Sequence, residues 1–304
     1  MLFRWLARQW VQATAQRVVS DAMPGRSRAP ADAEQPLADE AGEGAAAAES
    51  QQPMPYHLPH CDVAVICGDS VESSGLRKLM DDVVTTRCPR LLEHAGQLAG
   101  RRLIIAESGT GTQQAMDATD DIIQMHKPGL VIAAGFATAL DESMQHFHLL
   151  MGDPVQDAAG EQFQLGSRWD EDQLAAMPDL HLGPLLSLPE IITSLERRKE
   201  LAEQYDALAV DMESLAIARS CRQHQTSCMT VRVITEMLTE EFPAEVTGLA
   251  GQQTTARKLG AFARALVHRP SSVKDMWRLK NRAYKASEKL GRFLVSLIGQ
   301  LPVK

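Results

Sequence analysis

The sequence predicts an α/β fold whose sheet is largely parallel or mixed. Strand-like apolar runs alternate with amphipathic helical segments, glycine and proline mark the turns between them, and β-branched residues are concentrated in the last run. The predicted strands are 62–68, 101–108, 127–135, 148–166 (a strand with a hairpin-like return), 181–188, 207–210 and 230–236. Ligands of such folds bind beyond the carboxyl ends of the strands.

Helices are predicted in the segments that separate these strands. The first follows the polar turn after the first strand and has an apolar face formed by Leu76, Leu79, Met80 and Val83. The other predicted helices are 112–126, 189–205 and 212–224.

Composition divides the chain into four parts. Residues 1–20 can form an amphipathic helix, and 21–60, rich in Ala, Glu, Pro and Gly, are predicted to be a flexible linker. Residues 61–270 hold the alternating strand and helix pattern and form the main domain. Residues 271–304 form a helical extension from about 272 to 301, with apolar residues at spacings of three and four.

Two interpretations of the terminal helices stay open. The apolar stripe of the C-terminal helix would pack against the core or against another subunit. Because this extension is also basic, it would alternatively lie on a membrane surface, together with the amphipathic N-terminal helix.

Charge and cysteine content exclude several classes of protein. The formal net charge of -8 provides no basic field for a polyanion, so nucleic acid is not expected as a partner. The five cysteines are odd in number and form no C-x-x-C pair, which argues against a disulfide framework and for a reducing compartment.

No apolar run reaches the roughly 18 residues of a membrane span. Arg4 and Arg8 interrupt a signal-peptide core, so a cytoplasmic location is expected.

The chain shows no pattern typical of a metal or a nucleotide cofactor. Its histidines are scattered and lack ligand spacing, so no metal site is predicted. Neither a Walker loop nor a G-x-G-x-x-G motif occurs. No cofactor is therefore expected.

The most informative segment is AVDMESLAIARSC, residues 209–221. A strand ends there in Asp211 and Glu213, and an alanine-rich helix begins at once. Acidic residues at the start of a helix can simply complement its dipole. However, Glu236 ends another predicted strand and Glu72 follows the first one, and three strand ends that carry carboxylates are hard to ascribe to capping alone.

Together, five motifs resemble those of purine nucleoside phosphorylases and methylthioadenosine/S-adenosylhomocysteine nucleosidases. They are VAVICGDSVE (63–72), ESGTGTQQA (107–115), LVIAAGFATAL (130–140), AVDMES (209–214) and VRVITE (231–236). The resemblance covers about Asp62 to Pro243 and identifies 61–270 as a catalytic domain. It implies a single three-layer, phosphorylase/hydrolase-like domain in which helices flank a mixed, partly barrel-like central sheet. It also implies cleavage of the N-glycosidic bond of a purine nucleoside.

The resemblance implies separate roles for the three carboxylates. Breaking the bond places positive charge on the sugar and negative charge on the purine, so an acid that protonates the purine assists its departure. Glu236 matches that acid, and Glu72 matches the base that activates water. Glu213 would bind the ribose hydroxyls and stabilise the developing cation, with Met212 as an apolar floor beneath the sugar.

The remaining predicted site residues lie in glycine-rich turns and at strand ends. Main-chain N–H groups of the loop that contains Ser108, Gly109 and Gly111 would hold water or phosphate, although a mere tight turn is the alternative. Gly135, Phe136 and Thr235 are the candidates for binding the base. A core role for Phe136 is equally open.

This chain departs from the family pattern at several positions. Glu236 stands where the family has Asp, and it is longer by one methylene. The turn after the third predicted strand has Thr138 and Ala139 where glycines are common; His148 replaces an Asp, and Pro189 replaces a polar residue.

Three functions follow as hypotheses. The first is hydrolysis by a nucleosidase, which Glu72 favours. The second is phosphorolysis of a nucleoside with inorganic phosphate. A lipid-linked adenosine such as adenosylhopane is one candidate substrate, because the C-terminal extension resembles that of adenosylhopane phosphorylases. The third is nucleoside binding without turnover. A homo-oligomer is expected from the resemblance.

Overall fold

The computed structural model describes residues 60–165, 177–240 and 271–301. The predicted helix 1–20 and all but the last residue of the predicted linker 21–60 lie outside these ranges.

The described residues form ten strands and five helices. The strands are β1 (Val63–Cys67), β2 (Asp81–Arg87), β3 (Leu92–Leu98), β4 (Arg101–Glu107), β5 (Leu130–Ala139), β6 (Leu149–Gln156), β7 (Gln162–Phe163), β8 (Leu180–Ser187), β9 (Ala209–Asp211) and β10 (Cys228–Glu236). The helices are α1 (Ser70–Arg77), α2 (Thr112–His126), α3 (Leu195–Gln204), α4 (Ser214–Gln223) and α5 (Ser271–Gln300).

Half of the sheet closes into a barrel. β10 pairs with both β6 and β5, so that β10, β6, β8, β9 and β5 form a closed ring of five strands with mixed directions. From β5 the sheet continues through β1, β4, β3 and β2. The mixed, partly barrel-like sheet predicted from the sequence is therefore confirmed.

Helices cover both faces of the open part of the sheet. Alternate residues of β1, β4 and β5, such as Val65 and Ile105, pack with α1 and α5 in one hydrophobic cluster. Their neighbours, such as Ile66 and Ile104, pack with α2 and α4 in a second cluster on the opposite face. This arrangement confirms the three-layer architecture.

The parallel strands bring several turns to one edge of the sheet. β1 runs parallel to β4 and β5, with Cys67 opposite Glu107 and Ile66 opposite Ala133. β5 also runs parallel to β10. The residues that follow these strands therefore point toward the same edge of the sheet, and β5 and β10 continue beyond the last residues of β1 and β4.

The hairpin of β2 and β3 was not predicted, and the first predicted helix is too long. α1 ends at Arg77, and Val83, assigned to that helix from the sequence, lies in β2. Every residue of β2 is exposed, so its sequence DDVVTTR carries no alternation of apolar and polar residues. An edge strand that buries neither face leaves no periodic pattern by which to recognise it.

The helix predicted at 189–205 starts too early. α3 begins at Leu195, and the hydroxyl of Ser194 accepts a hydrogen bond from Arg197 N at 3.1 Å. This serine cap, rather than Pro189, determines where the helix begins.

The predicted C-terminal helix is confirmed, and its apolar stripe is buried. Leu279, Ala283, Leu290 and Leu294 pack in the cluster that contains α1 and the sheet. The core-packing interpretation therefore holds, and α5 belongs to the same core as the main domain. The membrane interpretation is wrong for this face, because a helix lying on a membrane would keep it exposed. Among the described helices, none is long and apolar enough for a membrane span.

A histidine pair at the barrel predicts a stability that depends on pH. His181 Nε2 lies 2.9 Å from His148 Nδ1, and the two rings stack with centroids 5.0 Å apart. Burial first, and then the charge of His148, hold the pKa of His181 below its ordinary value, although Asp141 and Asp179 oppose the shift. The unfolded chain therefore binds a proton that the folded chain does not. The free energy of unfolding should fall as the pH decreases through that ordinary value.

We expect His181→Gln to flatten this pH dependence. Urea unfolding at about pH 7.5 and about pH 5.5, on either side of the ordinary histidine pKa, measures the difference in the free energy of unfolding. The variant should show a smaller difference than the wild type. His60→Gln, which removes an exposed imidazole, is the control and should behave like the wild type. An unchanged difference in the His181 variant would contradict the prediction.

Candidate active site

Glu72 lies in the first turn of α1, directly beyond the end of β1. The carboxylate of Asp69 caps this helix by accepting hydrogen bonds from Val71 N at 2.9 Å and Glu72 N at 3.1 Å. The Glu72 side chain is 1 % exposed. Gly68 N donates to its Oε2 at 2.8 Å and Phe136 N donates to its Oε1 at 2.9 Å. Main-chain groups after β1 and within β5 thus hold this carboxylate in place.

Gly135 provides the space that this carboxylate needs. A Cβ atom at this position would lie 2.4 Å from Arg232 Nη1 and 2.8 and 2.9 Å from the two carboxylate oxygens of Glu72. Any side chain here would displace them. Gly135, predicted to bind the purine, therefore lies beside Glu72, the predicted general base.

Arg232 is a buried residue of the site that the sequence prediction missed. Its Nη2 forms an ion pair with Asp211 Oδ2 at 2.6 Å, and the hydroxyl of Ser214 accepts hydrogen bonds from Arg232 Nε and Nη2 at 3.1 and 2.9 Å. Ser214 in turn donates to Asp211 Oδ2 at 2.6 Å. A charged residue inside the apolar strand sequence VRVITE was the signal that could have revealed it, since buried charges require partners.

Glu213 faces the glycine loop rather than the helix that it precedes. It occupies the N-cap position of α4 without a capping hydrogen bond, whereas Asp211 accepts from Ser214 N at 3.1 Å. Instead, Gly111 N donates to Glu213 Oε1 at 2.9 Å. Helix capping therefore explains Asp211 but not Glu213. The Met212 carbonyl accepts from Thr112 Oγ1 at 3.2 Å, which joins this turn to the same loop.

Glu236 ends β10 and is 1 % exposed. The hydroxyl of Thr138, one of the departures from the family pattern, donates to Glu236 Oε2. The β5–β10 register shifts between Ile234 and Glu236, which brings Glu236 opposite Thr138. The neighbouring Thr235 has a buried hydroxyl that finds no hydrogen-bond partner among the described residues.

The loop after β4 borders a cavity of about 360 Å³. Ser108 N and Ser108 Oγ both donate to the Cys67 carbonyl, at 2.9 and 3.2 Å, so this serine does stabilise the turn. Gly109 and Gly111 have φ angles of 84° and 118°, which favour glycine. The cavity lies between this loop, the turn after β1 and the β2–β3 turn.

Phe136 is placed differently from the other predicted residues. Its ring is fully buried in the cluster that contains α1 and α5, which is the core role that the sequence left open. Only its main-chain N–H reaches the site, through Glu72.

A family model described as the phosphorylase superfamily matches residues 62–269, more than half of the chain. The chain belongs to the phosphorylase superfamily. It is accordingly an enzyme that cleaves N-glycosidic bonds, by hydrolysis or by phosphorolysis.

Two relatives of this chain carry the name of a nucleosidase. The 5'-methylthioadenosine/S-adenosylhomocysteine nucleosidase of Staphylococcus aureus (strain bovine RF122 / ET3-1) is 27% identical over 171 residues, which cover 49% of this chain and 74% of the relative. The nucleosidase of the same name from Staphylococcus haemolyticus (strain JCSC1435) is 24% identical over 196 residues, covering 58% and 86%.

Solved structures share the fold of this superfamily member. The Neisseria meningitidis nucleosidase in complex with methylthio-immucillin-A has a TM-score of 0.59 and 20% identity, covering 79% of this chain and 99% of that one. A Helicobacter pylori nucleosidase mutant with 5'-methylthioadenosine in its active site has a TM-score of 0.61 and 17% identity, with the same coverage. At these identities the likeness establishes the fold alone.

Proposed function

We propose that this phosphorylase superfamily member is a purine nucleosidase that hydrolyses a methylthioadenosine- or S-adenosylhomocysteine-type nucleoside. The observation that carries the proposal is the buried carboxylate of Glu72, held by Gly68 N and Phe136 N at the edge where the parallel strands end. Phosphorolysis needs no base, because phosphate already carries negative charge. Hydrolysis needs one, since water is a weak nucleophile.

The proposed reaction uses three carboxylates in turn. Glu72 accepts a proton from water as the water oxygen attacks the anomeric carbon of the ribose. The bond between that carbon and the purine nitrogen breaks, and Glu236 donates a proton to the departing purine. Glu213 binds the ribose hydroxyls and stabilises the positive charge that develops on the sugar. The products are free purine and free ribose derivative.

The charges around the cavity support hydrolysis over phosphorolysis. Arg87 and Arg90 line it and could attract phosphate, but Asp69 and Glu107 line it as well and would repel the dianion. Arg90 is moreover ion-paired with Asp121.

Assays of purine release, with and without inorganic phosphate, test the proposal. The purified enzyme would be incubated with methylthioadenosine, S-adenosylhomocysteine, adenosine and inosine. We expect adenine from the first two substrates without phosphate. Release that requires phosphate would indicate phosphorolysis, and binding without cleavage would indicate a nucleoside-binding protein.

Glu72→Gln should lower kcat for hydrolysis by about 10²- to 10⁴-fold, because glutamine cannot accept the proton of the attacking water. The substitution preserves size, but the glutamine NH2 would face one of the two main-chain N–H donors, so the melting temperature is measured together with kcat and KM. Steady-state kinetics of adenine release provide the measurement. Glu142→Gln, which changes an exposed glutamate, is the matched control and should retain the wild-type kcat. A Glu72→Gln variant with wild-type kcat would contradict the role of this base.

A further inference from the structure

Helices α5 and α1 approach so closely that their main chains touch. A Cβ atom added to Gly75 in α1 would lie 1.9 Å from the Ser287 carbonyl oxygen in α5. A Cβ atom added to Gly291 would lie 2.5 Å from the Gly75 carbonyl carbon. Only glycine permits this distance. The contact brings the side chain of Ser287 against the turn of α1 that carries Glu72.

The Ser287 hydroxyl binds the main chain around Glu72 in both directions. It accepts a hydrogen bond from Gly75 N at 2.8 Å and donates one to the Glu72 carbonyl at 3.0 Å. It also lies 3.1 Å from the hydroxyl of Ser74. Ser287 is fully buried, so water does not compete for these bonds. The orientation of the Glu72 peptide therefore depends on α5.

A second residue of α5 binds the chain next to Glu236. Arg282 Nη1 lies 3.5 Å from the Thr235 carbonyl and forms an ion pair with the Glu240 carboxylate. Arg198 of α3 donates to the carbonyls of Met237 and Glu240. The segment that surrounds Glu236 is thus held by two arginines, one of which belongs to α5.

We propose that α5 is a positioning element of the active site, in which Ser287 orients Glu72 and Arg282 orients the segment of Glu236. Ser287 binds main-chain groups around Glu72, and Arg282 binds the Thr235 carbonyl and the Glu240 carboxylate. Both therefore act through neighbouring groups and not on the reacting atoms. The inference rests on the proposed function of the two glutamates. It adds to the site a helix that lies beyond the residues matched by the family model, 62–269.

The kinetic consequence follows from the geometry of proton transfer. A misplacement of about 1 Å can cost a factor of about 10² in rate, whereas binding of the substrate depends on other contacts. Loss of the Ser287 hydroxyl should displace the Glu72 carboxylate by less than about 1 Å. We therefore expect kcat to fall by about tenfold and KM to stay within about twofold of the wild type. A residue that only stabilises the fold would lower the melting temperature without changing kcat of the folded enzyme.

Ser287→Ala in the full-length enzyme tests the inference, with Ser296→Ala as the matched control because Ser296 is an exposed serine of the same helix. kcat, KM and the melting temperature would be measured for adenine release from methylthioadenosine well below the melting transition. We expect kcat to fall only in the Ser287 variant. A lower melting temperature with wild-type kcat would overturn the proposal.

Arg282→Gln provides an independent test that does not disturb the contact between α1 and α5. The Arg282 side chain is 20% exposed, and the melting temperature of each variant shows whether it folds. We expect a lower kcat, partly restored in Arg282→Lys because lysine keeps the charge opposite Glu240. Wild-type kcat in Arg282→Gln would overturn the proposal even if Ser287→Ala did not fold. Failure of the wild type itself to release adenine would instead refute the proposed function.

Discussion

Replacing Glu236 by Gln is expected to lower kcat for purine release by about 10²- to 10⁴-fold, with little change in KM. Glutamine keeps the length of the side chain, and its amide oxygen can still accept the hydrogen bond from Thr138. It cannot donate a proton to the purine as a carboxylic acid does. The leaving group would then depart as an anion, which raises the barrier to bond cleavage.

Steady-state kinetics with methylthioadenosine measure this effect, and nucleoside binding by calorimetry shows whether the site is intact. Glu203→Gln, at an exposed position of α3, is the matched control and should be as active as the wild type. Full activity in the Glu236→Gln variant would show that Glu236 is not the acid that protonates the purine.

Glu236→Asp addresses the departure from the family pattern directly. Aspartate would restore the residue of the family, but it withdraws the carboxyl by about one methylene from the hydroxyl of Thr138. Because proton transfer requires hydrogen-bond reach, we expect kcat to fall by up to about 10²-fold. A variant as active as the wild type would show that activity does not depend on the longer side chain and its contact with the Thr138 hydroxyl.

Gly291→Ala is expected to destabilise the folded protein by about 1–3 kcal/mol. The added Cβ would lie 2.5 Å from Gly75 C and 2.6 Å from Leu76 N, which are main-chain atoms and cannot rotate away. α5 would have to move off α1, and the apolar contacts of Leu290 and Leu294 with the core would loosen. Urea unfolding monitored by circular dichroism measures the loss.

Gly299→Ala is the matched control for this variant, because it changes a glycine of the same helix. Its added Cβ would lie 3.9 Å from Ala99 Cβ, an ordinary contact. Alanine is the better helix former, so we expect unchanged stability or a gain of about 0.4–1 kcal/mol. A Gly291→Ala protein as stable as the control would show that the two helices need not approach so closely.

Local sequence patterns predicted the elements that have a buried face or a clear boundary. The helix Thr112–His126 has the predicted bounds, and α5 differs from its prediction by about one residue at each end. The strand–helix turn that carries Glu213 was recognised because a buried strand ends in carboxylates. Elements without a periodic apolar face, such as β2, were missed because periodicity reports burial and β2 buries nothing.

The candidate site residues were chosen by residue type, and the sequence did not predict their contacts. The rule that ligands bind beyond the carboxyl ends of parallel strands made Glu72, Glu213 and Glu236 candidates. The strand that Glu213 follows, β9, nevertheless runs antiparallel to β5. The partners of these residues were not predictable, because they come from distant parts of the chain. Thr138 binds Glu236 and Gly111 binds Glu213 across about a hundred residues of sequence.

The sequence by itself therefore determined the α/β class, the family, the strand ends that carry carboxylates and the amphipathic character of the C-terminal helix. All of these follow from local periodicity or from short motifs. The tertiary structure decided that β5 joins a barrel to an open sheet, that Arg232 joins Asp211 and lies close to Glu72, and that α5 contacts the main chain of Glu72. The reason is physical, because such contacts depend on strand register and on interhelical distance. Whether a glycine is required at a close contact can be judged only when the residue that packs against it is known.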